Sequence, residues 1–236
     1  MLCRSFQVSK RYAFTLIELL VVIAIIAILM GILMPVLGKV RKQGYSVVCT
    51  NNLKQIGYGA YMYAESNNYK VPRGLVYAAT APPWFEDFMP YLSQKPTGTD
   101  YRTVKIYRCP GYPDKNQTVC YVINGWGFNG PTDMTGHENG SPTNILTLKR
   151  PNKTIYIADN EDGPWRPIIT DSKQTEIEAC DVREPGDLPY LANGNLSTTR
   201  RVALNRHSRG SNILYFDWSV GHLEAKEIVI DLWRTH

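Results

Sequence analysis

Apolar and polar positions divide this chain into three regimes. From Phe14 to Leu37 nearly every residue is apolar, and Glu18 is the single charge. About 20 such residues in a helix span the ~30 Å hydrocarbon layer of a bilayer, so the stretch predicts a transmembrane helix. Beyond it Tyr45, Cys49, Leu53, Ile56, Ala60 and Tyr63 recur at steps of three and four. That is the stripe of an amphipathic helix with one face on a sheet. The helix is expected to run to about Asn67, with Asn67-Asn68 and Pro72 ending it.

The third regime has the shorter period of strands. Residues 72 to 206 predict strands at Val104–Cys109, Thr118–Asn124, Thr154–Ala158 and Arg166–Thr170, set in long connections rich in Gly and Pro. Trp84–Leu92 reads as a short helix and Gly125–Ser141 as a surface loop. Asn212–Asp217 and Val220–Glu224, joined through Trp218-Ser219, predict a C-terminal hairpin. The expected fold class is α+β: a long N-terminal helix, transmembrane in its first half, packed on an antiparallel sheet. The expected organisation is a basic leader at 1–13, a membrane helix at 14–37, its amphipathic continuation at 38–70 and a β-rich extracytoplasmic domain at 71–236.

The flanks of the apolar run set its orientation. Residues 1 to 13 carry Arg4, Lys10 and Arg11 and no acid, so the leader should stay cytoplasmic while the remainder is exported. No small-residue secretory cleavage site follows the run; the helical pattern continues through Lys39-Val40-Arg41-Lys42, so the segment is read as a retained anchor. An ionised carboxylate at membrane depth costs about 3 kcal/mol on insertion scales, so Glu18 needs a partner. Pro35 lacks the amide that would bond the Gly31 carbonyl, which makes Gly31 to Pro35 a point of bending or unwinding.

Ala13 followed by Phe14-Thr15-Leu16-Ile17-Glu18 resembles the processing site of type IV prepilins and type II secretion pseudopilins. The resemblance implies that prepilin peptidase cuts between Ala13 and Phe14, that the new Phe14 amine is methylated, and that Glu18 occupies the family's acidic fifth position. Ala13 stands where the family usually has Gly. Pro35 falls where the family commonly carries a kinking proline. The C-terminus, with His207, Gly210 and Asp217, together with Leu53-Lys54-Gln55-Ile56-Gly57, resembles the pilin-like proteins abundant in Planctomycetes. Those end in a His, nine intervening residues, Asp-Gly and often a later His; here His207 and Asp217 fit, His222 matches the later His, and Trp218 replaces the Gly.

Charge adds little. The net +5 comes from 26 Lys and Arg against 21 Asp and Glu, and without Arg4, Lys10 and Arg11 it is 23 against 21, or +2. Nothing in that balance demands a nucleic-acid partner, although Arg200-Arg201, Arg206 and Arg209 cluster near His207. Cys49, Cys109, Cys120 and Cys180 remain after the leader and allow three pairings. Cys49 with Cys109 and Cys120 with Cys180 is the first choice, buried free thiols the alternative, and the spacings fit no zinc pattern. Asp159, Glu161 and Asp162 in the run Asp159-Asn160-Glu161-Asp162-Gly163 offer hard oxygens suited to calcium, a metal that pseudopilins sometimes hold in a late loop; such a run is otherwise simply solvated.

His207 with Asp217 has the composition of a general-base pair, but no nucleophile motif or oxyanion loop accompanies it, so the motif reads as a structural clamp on the last hairpin. The expected role is a non-enzymatic structural subunit of a type II secretion pseudopilus or type IV pilus-like filament. Its partners would be prepilin peptidase, other pseudopilins and the inner membrane, with the C-terminal domain in the periplasm and the assembled filament there or at the cell surface. The alternative is a minor pilin or surface adhesin that binds glycan or DNA.

Overall fold

Thr15-Leu16-Ile17-Glu18 has the spacing at which a hydroxyl and a carboxylate cap a helix reciprocally. The computed structural model describes residues 15–74, 83–98, 100–162 and 181–235, and in it helix α1 (Leu16–Ser66) starts at this box. The Thr15 amide and hydroxyl both donate to Glu18 Oε2, at 2.8 and 2.7 Å, and the Glu18 amide donates to Thr15 Oγ1 at 3.3 Å. The helix stops where Asn68 and Tyr69 turn left-handed, with φ of 54° and 58°. There the Tyr69 amide folds back onto the Ala64 carbonyl at 2.8 Å.

The chain divides into two compact units, Met1–Arg41 and Lys42–His236. In the first, the described residues form apolar helix with no side chain covered: Leu16 is 77% and Ile17 73% exposed, and Pro35 sits within the helix. The apolar window is long enough to cross a membrane, and none of it is buried.

In the second unit the predicted stripe becomes core. Cys49, Leu53, Ile56 and Ala60 are buried, and Tyr45 and Tyr63 are half-buried at its edges. Among the described residues nine strands follow: β1 (Lys70–Val71), β2 (Tyr121–Asn124), β3 (Trp126–Gly127), β4 (His137–Glu138), β5 (Thr143–Asn144), β6 (Ile155–Asp159), β7 (Asp181–Val182), β8 (Gly210–Tyr215) and β9 (Val220–Glu224). The main sheet has the order β7-β2-β6-β8-β9, antiparallel except for the β2–β7 pair, while β1–β5 and β3–β4 form separate two-stranded ladders. This is the α+β, pilin-like arrangement expected, with one parallel edge added.

Both faces of the sheet are covered, which is why burial runs along its central strands rather than alternating. Tyr121, Ile123, Tyr156, Ile157 and Leu214 pack with the helix residues. On the other face Val122, Ile155, Ala158 and Ile213 pack with Trp126, Val202, Ile228 and Trp233. The alternation of β6 breaks at a bulge. Ile155 opposes Tyr215 and Ile157 opposes Leu214, so the extra residue, Tyr156, places two successive side chains on the helix side. After the bulge Asp159 also faces the helix.

Several expected elements change. Val104–Cys109 is not a strand but contains a 3-10 turn, Lys105–Tyr107. The turn lets the Tyr107 hydroxyl reach the Phe85 carbonyl at 2.6 Å, while the Tyr107 carbonyl accepts from the Cys120 amide at 2.8 Å. Trp84–Leu92 divides into α2 (Trp84–Asp87) and a 3-10 turn at Met89–Tyr91. Gly125–Ser141 is no surface loop, since the β3–β4 ladder lies within it. Trp126 is buried there, its Nε1 donating to the Thr135 carbonyl at 3.0 Å and its ring stacked on Phe128. The expected strand Arg166–Thr170 lies outside the described residues.

Arg73, which nothing in the sequence singles out, joins the ladders to the main sheet. It is fully buried, and its guanidinium donates to the Asn124 carbonyl and Oδ1 at 2.6 and 2.8 Å, to Thr143 Oγ1 at 2.9 Å and to the Trp126 carbonyl. Burial lowers it to about 10, so it remains a cation at neutral pH. Removing such a donor strands several buried acceptors at once. Arg73→Ala is expected to destabilise the chain by about 3 kcal/mol or more, read as a lowered thermal midpoint of the detergent-solubilised protein. Gly210 pairs with Glu224, and a Cβ added there would stand 1.9 Å from the Leu223 carbonyl oxygen. Gly210→Ala is therefore expected to cost about 1–3 kcal/mol by pushing β8 from β9, in the same measurement.

Candidate functional site

Four elements each bring one polar side chain to the seam between helix and sheet. Cys49 projects from the buried stripe of α1. Cys109 follows the Lys105–Tyr107 turn, in a loop that the Tyr112 amide closes on the Cys109 carbonyl at 3.0 Å. Asp159 ends β6, turned to the helix side by the bulge. His207 begins a tight turn in which His207 and Gly210 exchange both backbone hydrogen bonds, at 3.1 and 3.0 Å. Ser208 and Arg209 at its centre have φ of 44° and 70°; two left-handed residues of this kind make the turn that matches strand twist, although neither is glycine.

All four side chains are buried, with His207 and Cys109 each 3% exposed and Cys49 and Asp159 at 0%. The Cys49 thiol donates to Asp159 Oδ1 at 3.0 Å and lies 3.2 Å from the Tyr121 hydroxyl. Cys109 Sγ is 3.3 Å from His207 Nε2, which is 3.7 Å from Asp159 Oδ2. The Asn212 amide donates to that same Oδ2 at 2.6 Å. The ligand-type atoms of the four residues all lie within 4.8 Å of one another.

The electrostatics follow from this crowding. Burial raises the Asp159 carboxyl to about 6, and the charge on Cys109 adds to the effect. Burial likewise raises the Cys49 thiol, with Cys109 and Asp159 acting in the same direction. The Cys49 hydrogen bond and the His207 ring lower Cys109 to about 5 against its own burial. Burial works against the imidazolium, but hydrogen bonding to Cys109 and the charge of Asp159 outweigh it and raise His207. Both directions favour placing the proton of the Cys109–His207 pair on the ring rather than on the sulfur.

The arrangement revises several sequence expectations. Cys49 and Cys109 do meet, but as free thiols rather than a disulfide, each occupied by a polar neighbour. Cys120 is also a buried free thiol, and Cys180 lies outside the described residues, as do Ala13 and Phe14. Asp159, Glu161 and Asp162 do not converge as a calcium set. They follow the end of β6 in different directions: Asp159 enters the cluster, Glu161 Oε2 takes Arg200 Nε at 2.6 Å and the Leu204 amide at 3.0 Å, and Asp162 pairs with Arg206 at 2.7 Å.

His207 turns to Cys109 and Asp159 rather than to Asp217. Asp217 instead accepts from the Ser219 amide and hydroxyl at 3.0 and 2.6 Å, closing the β8–β9 turn in which Trp218, at φ 69°, takes the left-handed glycine place. His222 is exposed, with Nδ1 3.3 Å from Asn212 Oδ1. The basic group is engaged by acids: Arg200 holds Glu161, Arg201 holds Asp181 and Asp187, and Arg206 holds Asp162.

No linear spacing announces the four-residue cluster, because its members come from a helix, a loop, a strand end and a turn. The available signal was the coincidence of two core-bound cysteines with the His of the C-terminal motif. The Thr15–Glu18 capping box, by contrast, was legible as Thr-x-x-Glu before an apolar run.

Residues 8–34 match the family described as the Prokaryotic N-terminal methylation motif. No curated protein and no solved structure matches the chain. A motif of this kind implies processing by prepilin peptidase and assembly with other pilins, and the uncovered apolar helix suits membrane anchoring. The chain carries the N-terminal methylation motif of type IV pilin-like proteins on an α+β body.

Proposed function

We propose that this chain is a structural subunit of a secretion pseudopilus or type IV pilus-like filament. It is held in the inner membrane by its first helix until assembly, with the Lys42–His236 unit outside the cytoplasm. Prepilin peptidase cuts between Ala13 and Phe14, and the subunit's work is mechanical rather than catalytic. The observation that carries this reading is the methylation motif at residues 8–34 on a helix whose apolar side chains from Leu16 to Val40 are bare. An apolar surface of that extent requires lipid or the helices of other subunits to cover it.

Glu18 then has two successive partners. In the single chain its carboxylate caps its own helix through Thr15. After cleavage the α-ammonium of Phe14 on a neighbouring subunit supplies a positive charge for it in the water-poor filament core. Removing one member of a buried ion pair costs about 3–5 kcal/mol, which is enough to favour registered subunits over stray ones. The adhesin alternative draws less support, because Arg200, Arg201 and Arg206 are engaged by acids.

Two substitutions separate charge pairing from capping. A glutamine at N3 still closes a capping box, so Glu18→Gln leaves the cap and removes the charge, whereas Glu18→Val removes both. Filament or pseudopilus assembly in the native host is expected to fall at least about 100-fold in both variants, in line with the cost of the broken pair. Normal assembly of Glu18→Gln would reduce Glu18 to a helix cap. Mass spectrometry of the mature protein is expected to show an N-terminal methylated Phe14, and a mature chain that still began upstream of Ala13 would overturn the reading.

A further inference from the structure

Two sulfurs, an imidazole nitrogen and a carboxylate oxygen make a donor set of the kind zinc takes, and here they come from four elements that share no other purpose at that point. For zinc–sulfur bonds of about 2.3 Å and zinc–nitrogen or zinc–oxygen bonds of about 2.0–2.1 Å, the edges of the ligand tetrahedron measure about 3.3–3.8 Å. Cys49 Sγ lies 3.0 Å from Asp159 Oδ1 and Cys109 Sγ 3.3 Å from His207 Nε2, and the 3.7 Å approach of His207 Nε2 to the same carboxylate is to its other oxygen, Oδ2. No pair among the four exceeds 4.8 Å. Contractions of up to about 1 Å in the longest separation, within the reach of side-chain rotation, turn the cluster into a coordination sphere.

We propose that Cys49, Cys109, Asp159 and His207 together bind one thiophilic divalent cation, zinc foremost, as a buried structural staple between helix α1 and the sheet. Four protein ligands close a tetrahedral site, which is the mark of a structural rather than a catalytic ion. The surroundings have the character of a supporting shell. The Tyr121 hydroxyl lies 3.2 Å from Cys49 Sγ, and the Asn212 amide holds Asp159 Oδ2 at 2.6 Å. Gly111 borders the cluster: a Cβ there would stand at ordinary contact distance from His207 Cε1, 3.4 Å, and Cys109 Sγ, 3.6 Å.

Binding exchanges protons for the ion. The divalent cation displaces two protons to solvent, one from the Cys49 thiol and one held by the Cys109–His207 pair, and binds both thiolates, the neutral imidazole and the carboxylate, leaving one net negative charge. The guanidinium of Arg206, whose field already reaches His207, lies beside that charge. A cleft of about 550 Å³ with His207, Gly111, Tyr45, Lys42 and Arg206 in its lining gives the ion a way in.

The competing chemistry for the same sulfurs is a Cys49–Cys109 disulfide. A disulfide is neutral and accepts only weakly, so it would take the Cys49 donor from Asp159 and the Cys109 partner from His207, leaving the carboxylate with the Asn212 amide and the ring. A metal ion uses all four.

The test uses the full-length chain, solubilised in detergent and purified without chelator. Elemental analysis is expected to find about one zinc per chain. Replacement of that zinc by cobalt(II) is expected to give the intense visible bands of a tetrahedral ion and a thiolate charge-transfer band with the intensity of two sulfurs. Cys49→Ser and Cys109→Ser are each expected to halve that band and to weaken metal binding at least about 100-fold. His207→Gln and Asp159→Asn should shift the visible bands, and Cys120→Ser should change neither.

Should the ligand variants fail to fold, the cobalt spectrum of the unaltered chain still decides, because its charge-transfer intensity counts thiolates. Absence of stoichiometric metal and of any cobalt–thiolate band, or a Cys49–Cys109 disulfide in peptide maps of protein purified without reductant, would overturn the proposal.

Discussion

Asp159 sits where a carboxylate is hardest to keep, at the end of a central strand under a packed helix with no water to solvate it. Burying it without partners would cost several kcal/mol, so the structure around it is organised to supply them. The Cys49 thiol arrives from α1, the Asn212 amide from β8 and the His207 ring from the turn before β8. Each of those donors needs its own element in place, so satisfying this carboxylate requires helix, sheet and turn to be positioned together. The apolar stripe supplies most of the favourable burial, but it tolerates sliding by a fraction of a turn. Hydrogen bonds of about 3 Å do not, and they set which part of the stripe faces which strand.

The helix thus carries two kinds of instruction in one continuous element. Its first part is apolar on every side and marked by one acid, which specifies an environment without specifying a particular contact. From Cys49 onward the apolar residues narrow to a stripe, interrupted by Gly57 and Gly59, where a Cβ would press on Leu214 and Leu92 at 3.0 and 2.8 Å. There the sequence specifies a close fit. On the proposed function, movement between lipid and a filament needs the first kind of surface, and a domain that stays folded through that transfer needs the second.

Much of this was readable in advance, for identifiable reasons. The apolar run, the stripe from Tyr45 to Tyr63 and the C-terminal hairpin are governed by local periodicity, and they appear within a residue or two of expectation. Val104–Cys109 misled because its apolar residues suit a strand, whereas long-range contacts to Phe85 and Cys120 select a turn. Gly125–Ser141 misled because its glycines suggested a solvated loop, although Gly125 is where the chain passes close against Gly74. His207 and Asp217 read together as one structural clamp, yet they serve different turns, and the carboxylate that His207 meets is Asp159. Asp159 had been grouped with its sequence neighbours Glu161 and Asp162. Neighbours along a chain that leaves a strand soon point to different places, and only the bulge in β6 decides which way Asp159 points.

That bulge has a consequence for how this protein can vary. Loss of Tyr156 alone would remove the bulge and leave Ile157 opposite Leu214 and Asp159 on the helix side, whereas loss of Ala158 with the bulge kept would deliver the Asp159 carboxylate into the opposite layer, among Trp126, Val202 and Trp233. Point changes in this strand are matters of size and fit, but a change in its length away from the bulge inverts what every later side chain addresses. Among descendants of this sequence, β6 should accumulate substitutions freely by comparison with insertions or deletions, its residue count guarded more strictly than its lettering.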